Sequence, residues 1–140
     1  MEHTSTIKLD LITQEKVLLS QDVSIAVIPS GEGPVGILPG HAPLIGTLNI
    51  GVLHARDSSQ KEFSVFVGRG FFMVTRERIT VVARVAELQD QIDLERAIAA
   101  KERAQKQLAS IGEGFDREQI KDDLLRAETR IKAAKGTVTA

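Results

Sequence analysis

Four arginines in the last fifty residues have the side-chain type and spacing that chemistry would use. Arg96 and Arg103 are seven residues apart, and Arg126 and Arg130 four apart, so on helices each pair lies near one side. A planar guanidinium grips two phosphate oxygens at once, and four converging on one place suit a polyphosphate. Splayed into solvent, the same four are only a salt-bridged surface. The other motifs are weaker. Gly31-Glu32-Gly33-Pro34-Val35-Gly36 is a literal G-x-G-x-x-G after a strand-like run. A phosphate-cradling loop must open a helix, however, and Ile37-Leu38-Pro39-Gly40-His41-Ala42-Pro43 follows with two prolines and no helical period. The expectation there is a surface loop of turn residues. His3, His41 and His54 lack metal-ligand spacing, and His41 reads as a loop residue. Asp93 and Glu95 read as a helix cap and a dipole partner, and no serine has a nucleophile-elbow setting. No catalytic residue and no metal ligand is assigned.

Composition narrows the classes further. In 140 residues, 18 Lys+Arg balance 19 Asp+Glu, so there is no basic field to hold nucleic acid by counterion release. Cysteine is absent, which excludes disulfides, thiolate metal sites and cysteine nucleophiles. The start shows no secretory pattern and no stretch approaches a membrane span, so the chain reads as soluble and intracellular.

The elements that must position these residues change character near residue 90. Residues 1–90 carry 8 Lys+Arg and 10 Asp+Glu, against 10 and 9 in residues 91–140. All four prolines and eight of eleven glycines lie in the first part, while the last fifty residues hold nine alanines and no proline. The first part predicts strands at Ile7 to Thr13, Val23 to Ser30, Leu48 to Ala55, Glu62 to Gly68, Phe71 to Val74 and Ile79 to Ala83. Asp57-Ser58-Ser59-Gln60 and Gly68-Arg69-Gly70 separate adjacent runs at spacings that suit antiparallel hairpins. The expected architecture is a two-layer β-sandwich or flattened barrel. Phe66 breaks the alternation, being large and apolar on the face that carries Glu62 and Ser64. In the second part, Ala97, Ala100, Ala104, Leu108 and Ile111 share one helix face, and Ile120, Leu124, Ala127, Ile131 and Ala134 another. Asp93 caps the first helix, Gly112-Glu113-Gly114 ends it, and Asp116 with Gln119 resembles a capping box for the second. The stripes are narrow and Ala-rich, so this hairpin buries little apolar area and needs a docking surface.

The loop Gly36-Ile37-Leu38-Pro39-Gly40-His41-Ala42-Pro43-Leu44, the turn Val67-Gly68-Arg69-Gly70-Phe71, the run Ile79 to Ala83 and the segment Ile92-Asp93-Leu94-Glu95-Arg96-Ala97 occur in the order and spacing of one family. Over essentially its whole length, the chain resembles the epsilon subunits of bacterial rotary F-type ATP synthases. The resemblance implies an α+β protein: an N-terminal antiparallel β-sandwich of about ten strands over residues 1–89, then an antiparallel α-helical hairpin over 90–140. It implies a non-catalytic subunit of the central stalk, or rotor. The sandwich would fasten to the gamma subunit and the membrane c-ring, coupling proton flow to the catalytic head. The hairpin would fold on the sandwich or extend toward the alpha and beta subunits and oppose ATP hydrolysis. The protein would lie at the cytoplasmic face of the inner membrane, or the equivalent face of another energy-coupling membrane, peripheral through the complex. No cofactor is required, but ATP is implied as a regulatory ligand, held by Ile92, Asp93, Arg96 and Ala97, by Glu87 just before them, by Arg103, and by Arg126 and Arg130. Glu32 and His41 would lie in the c-ring-facing loop. Here the chain departs from the family, since Gly31 to Gly36 is two residues longer than the usual run, and Arg69 stands where relatives commonly have Gly. Without the resemblance, the same residues leave open a free-standing β-sandwich interaction module with a helical dimerisation hairpin.

Overall fold

The computed structural model describes residues 6–112 and 114–136. His3, Glu113 and the outer ends of both expected domains lie outside the described residues. Among the described residues nine strands come first, against about ten expected: β1 (Ile7–Ile12), β2 (Val17–Ser30), β3 (Gly33–Ile37), β4 (Leu44–Leu48), β5 (Gly51–Asp57), β6 (Glu62–Val67), β7 (Gly70–Val74), β8 (Arg78–Ala83) and β9 (Ala86–Leu88). A 3-10 turn, Gln89–Gln91, leads to α1 (Leu94–Ser110) and α2 (Phe115–Lys135).

The strands run in the order β1-β8-β7-β4-β2-β5-β6-β9, with β3 on β2 and β1 also bonded to β2. The sandwich depends on β2. Its 14 residues pair with β1 from Val17 to Val23, with β5 from Val23 to Val27 and with β3 from Ala26 to Ser30. A register shift between Val23 and Ile25 turns the strand from one layer into the other. Alternate residues face inward, so Ile7, Leu9, Leu11, Val23, Ala26, Ile28, Leu53, Val65, Phe72, Val74, Ile79 and Val81 form one dry core.

Several local expectations change. The pairing is not wholly antiparallel: β1 lies parallel to β8, Leu9 opposite Ile79, because the first strand closes the layer against a strand that reaches it from the far side. Gly33–Ile37 is not loop but the edge strand β3, joined to β2 by the tight turn Gly31-Glu32. Edge position is where a strand tolerates Pro34. The run Leu48 to Ala55 is divided by Asn49-Ile50 into two strands, β4 and β5. Asp57-Ser58-Ser59-Gln60 is a hairpin turn, with Arg56 opposite Glu62. Gly68-Arg69-Gly70 is not one: β6 bonds to β5 and β9, and β7 to β4 and β8, so the chain crosses between layers there. Glycine permits that crossing, because a Cβ on Gly70 would lie 1.9 Å from the Val82 carbonyl oxygen.

The helices pack through their alanines. Ala97, Ala104 and Ala127 are buried, and Ala100, Leu108, Leu124 and Ile131 flank them half-buried. The Asp93 carboxylate accepts the Arg96 N–H at 3.1 Å and caps α1. Asp116 does not cap α2. The helix starts earlier, at Phe115, with Gly114 at the N-cap position, whose positive φ of 141° suits glycine, and Asp116 lies in the first turn, favourably placed for the helix dipole. A second buried line on α2, Thr129 and Ala133, faces away from the expected stripe; Ala133 meets Phe66 and Ile50 of the sandwich.

Because the large core residues all belong to strands, residues 6–88 are expected to fold without the hairpin and to show a cooperative thermal transition with strand-type circular dichroism. Phe72→Ala in the full chain should cost about 3–5 kcal/mol in denaturant unfolding, the usual loss for a fully buried aromatic ring.

Candidate functional site

The arrangement that can do chemistry lies where the end of the sandwich meets both helices. Glu87 is carried by β9, whose pairing with β6 sets Phe66 opposite Glu87. The 3-10 turn then reverses the chain so that Asp93 caps α1 at the edge of the same surface. Gln91 fixes that turn, its Oε1 accepting the Leu88 N–H at 3.2 Å. From Asp93 the helical period brings Arg96, Ala97, Ala100 and Arg103 to one side, and α2 returns Ala127 and Arg130 beside them. These residues line an open cleft of about 470 Å³.

Its floor is small and apolar at Ala97 and Ala127, both buried, which leaves room for a ligand to sit close to both helix backbones. Its walls are charged. The Arg130 Nε donates to Glu87 Oε1 at 2.8 Å, and its guanidinium lies 4.5 Å from the centre of the Phe66 ring. Arg130 is thus oriented by a carboxylate on one side and an aromatic face on another. The Arg96 and Arg103 guanidiniums are exposed and have no ion-pair partner among the described residues. The two residues are about 10 Å apart along the axis of α1, a spacing suited to one elongated anion rather than a single phosphate. Three guanidiniums against the carboxylates of Glu87 and Asp93 leave the cleft net positive.

Most of the residues named from the sequence meet here: Glu87, Asp93, Arg96, Ala97, Arg103 and Arg130. Two do not line the cleft. Ile92 packs against the apolar cluster of Ile50, Phe66 and Ala133, where it anchors the start of the hairpin. Arg126 is turned along its own helix, its Nη1 donating to Asp123 Oδ1 at 3.3 Å. Gln91, Ala100 and Ala127 were missed as lining residues; Ala100 and Ala127 were already legible as stripe positions. Glu32 and His41 lie elsewhere. Glu32 occupies the β2–β3 turn, its N–H donating to Ser30 Oγ at 3.1 Å. His41 lies between β3 and β4, its N–H donating to the Leu38 carbonyl at 3.1 Å and its Nδ1 2.7 Å from the Ala42 carbonyl oxygen.

Residues 6–89 match the family described as ATP synthase, Delta/Epsilon chain, beta-sandwich domain, and residues 90–135 match ATP synthase, Delta/Epsilon chain, long alpha-helix domain. The chain belongs to the ATP synthase delta/epsilon chain family. A relative named ATP synthase epsilon chain from Desulforamulus reducens is 45% identical over 130 residues, covering 93% of this chain and 98% of the relative. The epsilon chain of Desulfitobacterium hafniense DCB-2 is 38% identical over 130 residues, covering 93% and 97%. A chain in the Euglena gracilis mitochondrial ATP synthase, solved as OSCP/F1/c-ring, has the same fold at a TM-score of 0.71 and 22% identity, over 96% of this chain and 81% of that one. A chain in the central stalk and c-ring of the Tetrahymena thermophila mitochondrial enzyme matches at a TM-score of 0.61 and 14% identity, over 96% and 99%.

The docked hairpin of this family member also shapes a second cleft, of about 360 Å³, between the C-terminal end of α2 and the outer face of β2, β5 and β6. His54 lines it half-buried, with Nδ1 3.1 Å from Ser64 Oγ. Burial pushes the imidazole pKa below its ordinary 6.5, and the Glu62 carboxylate opposes this in part. The unfolded chain therefore takes up a proton near pH 6.5 before the folded one does, and stability present above that pH is lost below it. Folding stability should fall as the pH drops through about 6.5 and below, and His54→Gln should flatten that slope in urea unfolding followed across the range.

Proposed function

We propose that this chain is the epsilon subunit of the central stalk of a proton-translocating F-type ATP synthase. It joins gamma and the c-ring to the catalytic head of alpha and beta subunits and makes no chemical step of its own. It lies at the cytoplasmic face of the inner membrane, peripheral through the complex; among the described residues no helix is long and apolar enough to cross a membrane. Family membership and relatives named epsilon chain over nearly their full length support this.

The sandwich presents an uncovered apolar surface away from the hairpin. Ile45 of β4 is 73% exposed, Met73 lies directly opposite it on β7, and Phe71 follows on the same face. Large apolar side chains grouped on one face mark an interaction surface, and we assign this one to gamma. The Gly31-Glu32 turn between β2 and β3, and the His41 loop, face the c-ring in this reading.

The regulatory part of the reading rests on one observation: Glu87 from the sandwich, Asp93, Arg96 and Arg103 from α1 and Arg130 from α2 line one cleft, which requires the hairpin to lie on the sandwich. ATP bound there stabilises that state, because the released hairpin no longer offers the same set of groups. The triphosphate meets Arg96, Arg103 and Arg130 through charge-assisted hydrogen bonds, and Glu87 accepts a bond from the adenine amino group when it releases Arg130. The released hairpin extends toward alpha and beta and restrains hydrolysis.

Calorimetry of the full chain is expected to show ATP binding more tightly than ADP. Arg103→Ala or Arg130→Ala should weaken it by roughly 1–3 kcal/mol, and Arg126→Ala by less, since Arg126 is directed at Asp123. Undetectable heat at millimolar ATP would discard the nucleotide reading. In the assembled complex, removing residues 91–140 is expected to raise ATP hydrolysis, and Ile45→Asp to prevent co-purification with gamma while leaving the chain folded. An unchanged hydrolysis rate would remove the inhibitory role, and retention of Ile45→Asp in the complex would move gamma to another face.

A further inference from the structure

Arg69 belongs to neither the cleft nor the apolar surface, yet its backbone is held on both sides. Its carbonyl accepts the Arg84 N–H at 2.9 Å, and the Gly68 N–H beside it donates to the Val85 carbonyl at 2.7 Å. On its other side Gly70 lies so close to the Val82 carbonyl that no Cβ fits. The crossing between layers is thus clamped to the neighbouring backbone, and Arg69 is the one long side chain it exports. That side chain reaches α2, where its Nη1 donates to Asp122 Oδ2 at 3.1 Å and its Nη2 to Asp122 Oδ1 at 3.2 Å. The hydrogen bonds and charge of Arg69 hold the Asp122 carboxyl below the usual carboxylate range.

Asp122 and Ala133 are eleven residues, three turns, apart, on one face of α2 and separated by about 16 Å. The apolar contact between hairpin and sandwich is gathered at the Ala133 end, with Ile50 and Phe66, where Gln89 Nε2 also donates to the Ala134 carbonyl at 3.2 Å. Arg130 and Glu87 lie near that end too. We infer that the two-pronged Arg69–Asp122 pair is a bolt at the far end of α2 that sets how often the hairpin leaves the sandwich. The side chains are 45% and 39% exposed, so the bolt is screened by salt and is weak enough to open without unfolding the sandwich. It acts without touching the nucleotide cleft.

The inference rests on the detachable hairpin of the preceding section, and one experiment separates the two. The chain contains no cysteine, so a single introduced thiol reports burial. Ala133→Cys places it under α2, Ile50→Cys places it on the sandwich side of the same contact, and Val65→Cys places it in the sandwich core. In the full chain at low salt, the thiol at 133 or 50 is expected to react with a thiol reagent faster than the thiol at 65. Arg69→Ala and Asp122→Asn should each accelerate that reaction about two- to fivefold, with no change at 65. The exchanged pair, Arg69→Asp with Asp122→Arg, should return the rate toward the parent's, and added salt should accelerate the parent more than the single variants, which keep only the Arg130–Glu87 pair. If the thiols at 133 and 50 react no faster than the thiol at 65, the hairpin leaves only by global unfolding and detachment itself is wrong. If they react faster but neither single variant alters the rate, or the exchange fails to restore it, the bolt is overturned and detachment stands.

Discussion

Phe66 points out of the sandwich and is nevertheless fully buried, covered by Ala133 of α2 with the Arg130 guanidinium above its ring. An exposed phenylalanine costs a domain solubility, and an Ala-rich hairpin has too little apolar surface to hold itself together. Each supplies what the other lacks. Covering Phe66 sets the rotation of α2, which turns Ala127 toward α1 and brings Arg130 to Glu87. From that one contact follow the position of α1, the convergence on the cleft and the reach of Asp122 to Arg69.

The contact is also small. Ala133 offers a methyl group, Ile50, Val52, Val85 and Ile92 supply a rim, and polar links make up the remainder. A docking held by one aromatic ring and a few screened ion pairs lies at the low-stability end of a structure whose strands share a much larger core. That contrast makes the proposed release of the hairpin compatible with a permanent anchor: the sandwich need not loosen for the helices to move. Arg130 serves both sides of this division, since the groups that orient it, Glu87 and Phe66, belong to the sandwich while its backbone belongs to the hairpin.

Much of this was legible in the residues. Periodicity identified both helices and the alanine seam between them, and the Asp93 cap follows from residue type alone. The arginine spacing, joined to the family resemblance that supplied Glu87 and the Ile92–Ala97 segment, named six of the residues that line the cleft. What the sequence concealed has physical causes. Gly33-Pro34 reads as loop because glycine and proline oppose strands, but an edge position on a long partner overrides that preference. Gly68-Arg69-Gly70 is short enough for a hairpin or for a corner between layers, and only the partners of β6 and β7 decide. Phe66 was visible as an anomaly; that α2 covers it through Ala133, a residue off the expected stripe, required knowing that α2 buries two faces. Arg126 shared the spacing of Arg130, but the Asp123 carboxylate nearby takes it, and spacing does not register competition among neighbours.

The strand β2 has a mechanical consequence. Because its first half is bonded into one layer and its second half into the other, the layers are joined by continuous covalent backbone as well as by packed side chains. Two sheets held only by side-chain contact can slide under sideways load. Here sliding would have to break β2's own ladder, so a push on the face of Ile45 and Met73 is carried through the body to the face of Phe66 without slack. Such a body is stiff in shear, and under load the smaller contact that holds the helices to its end yields first.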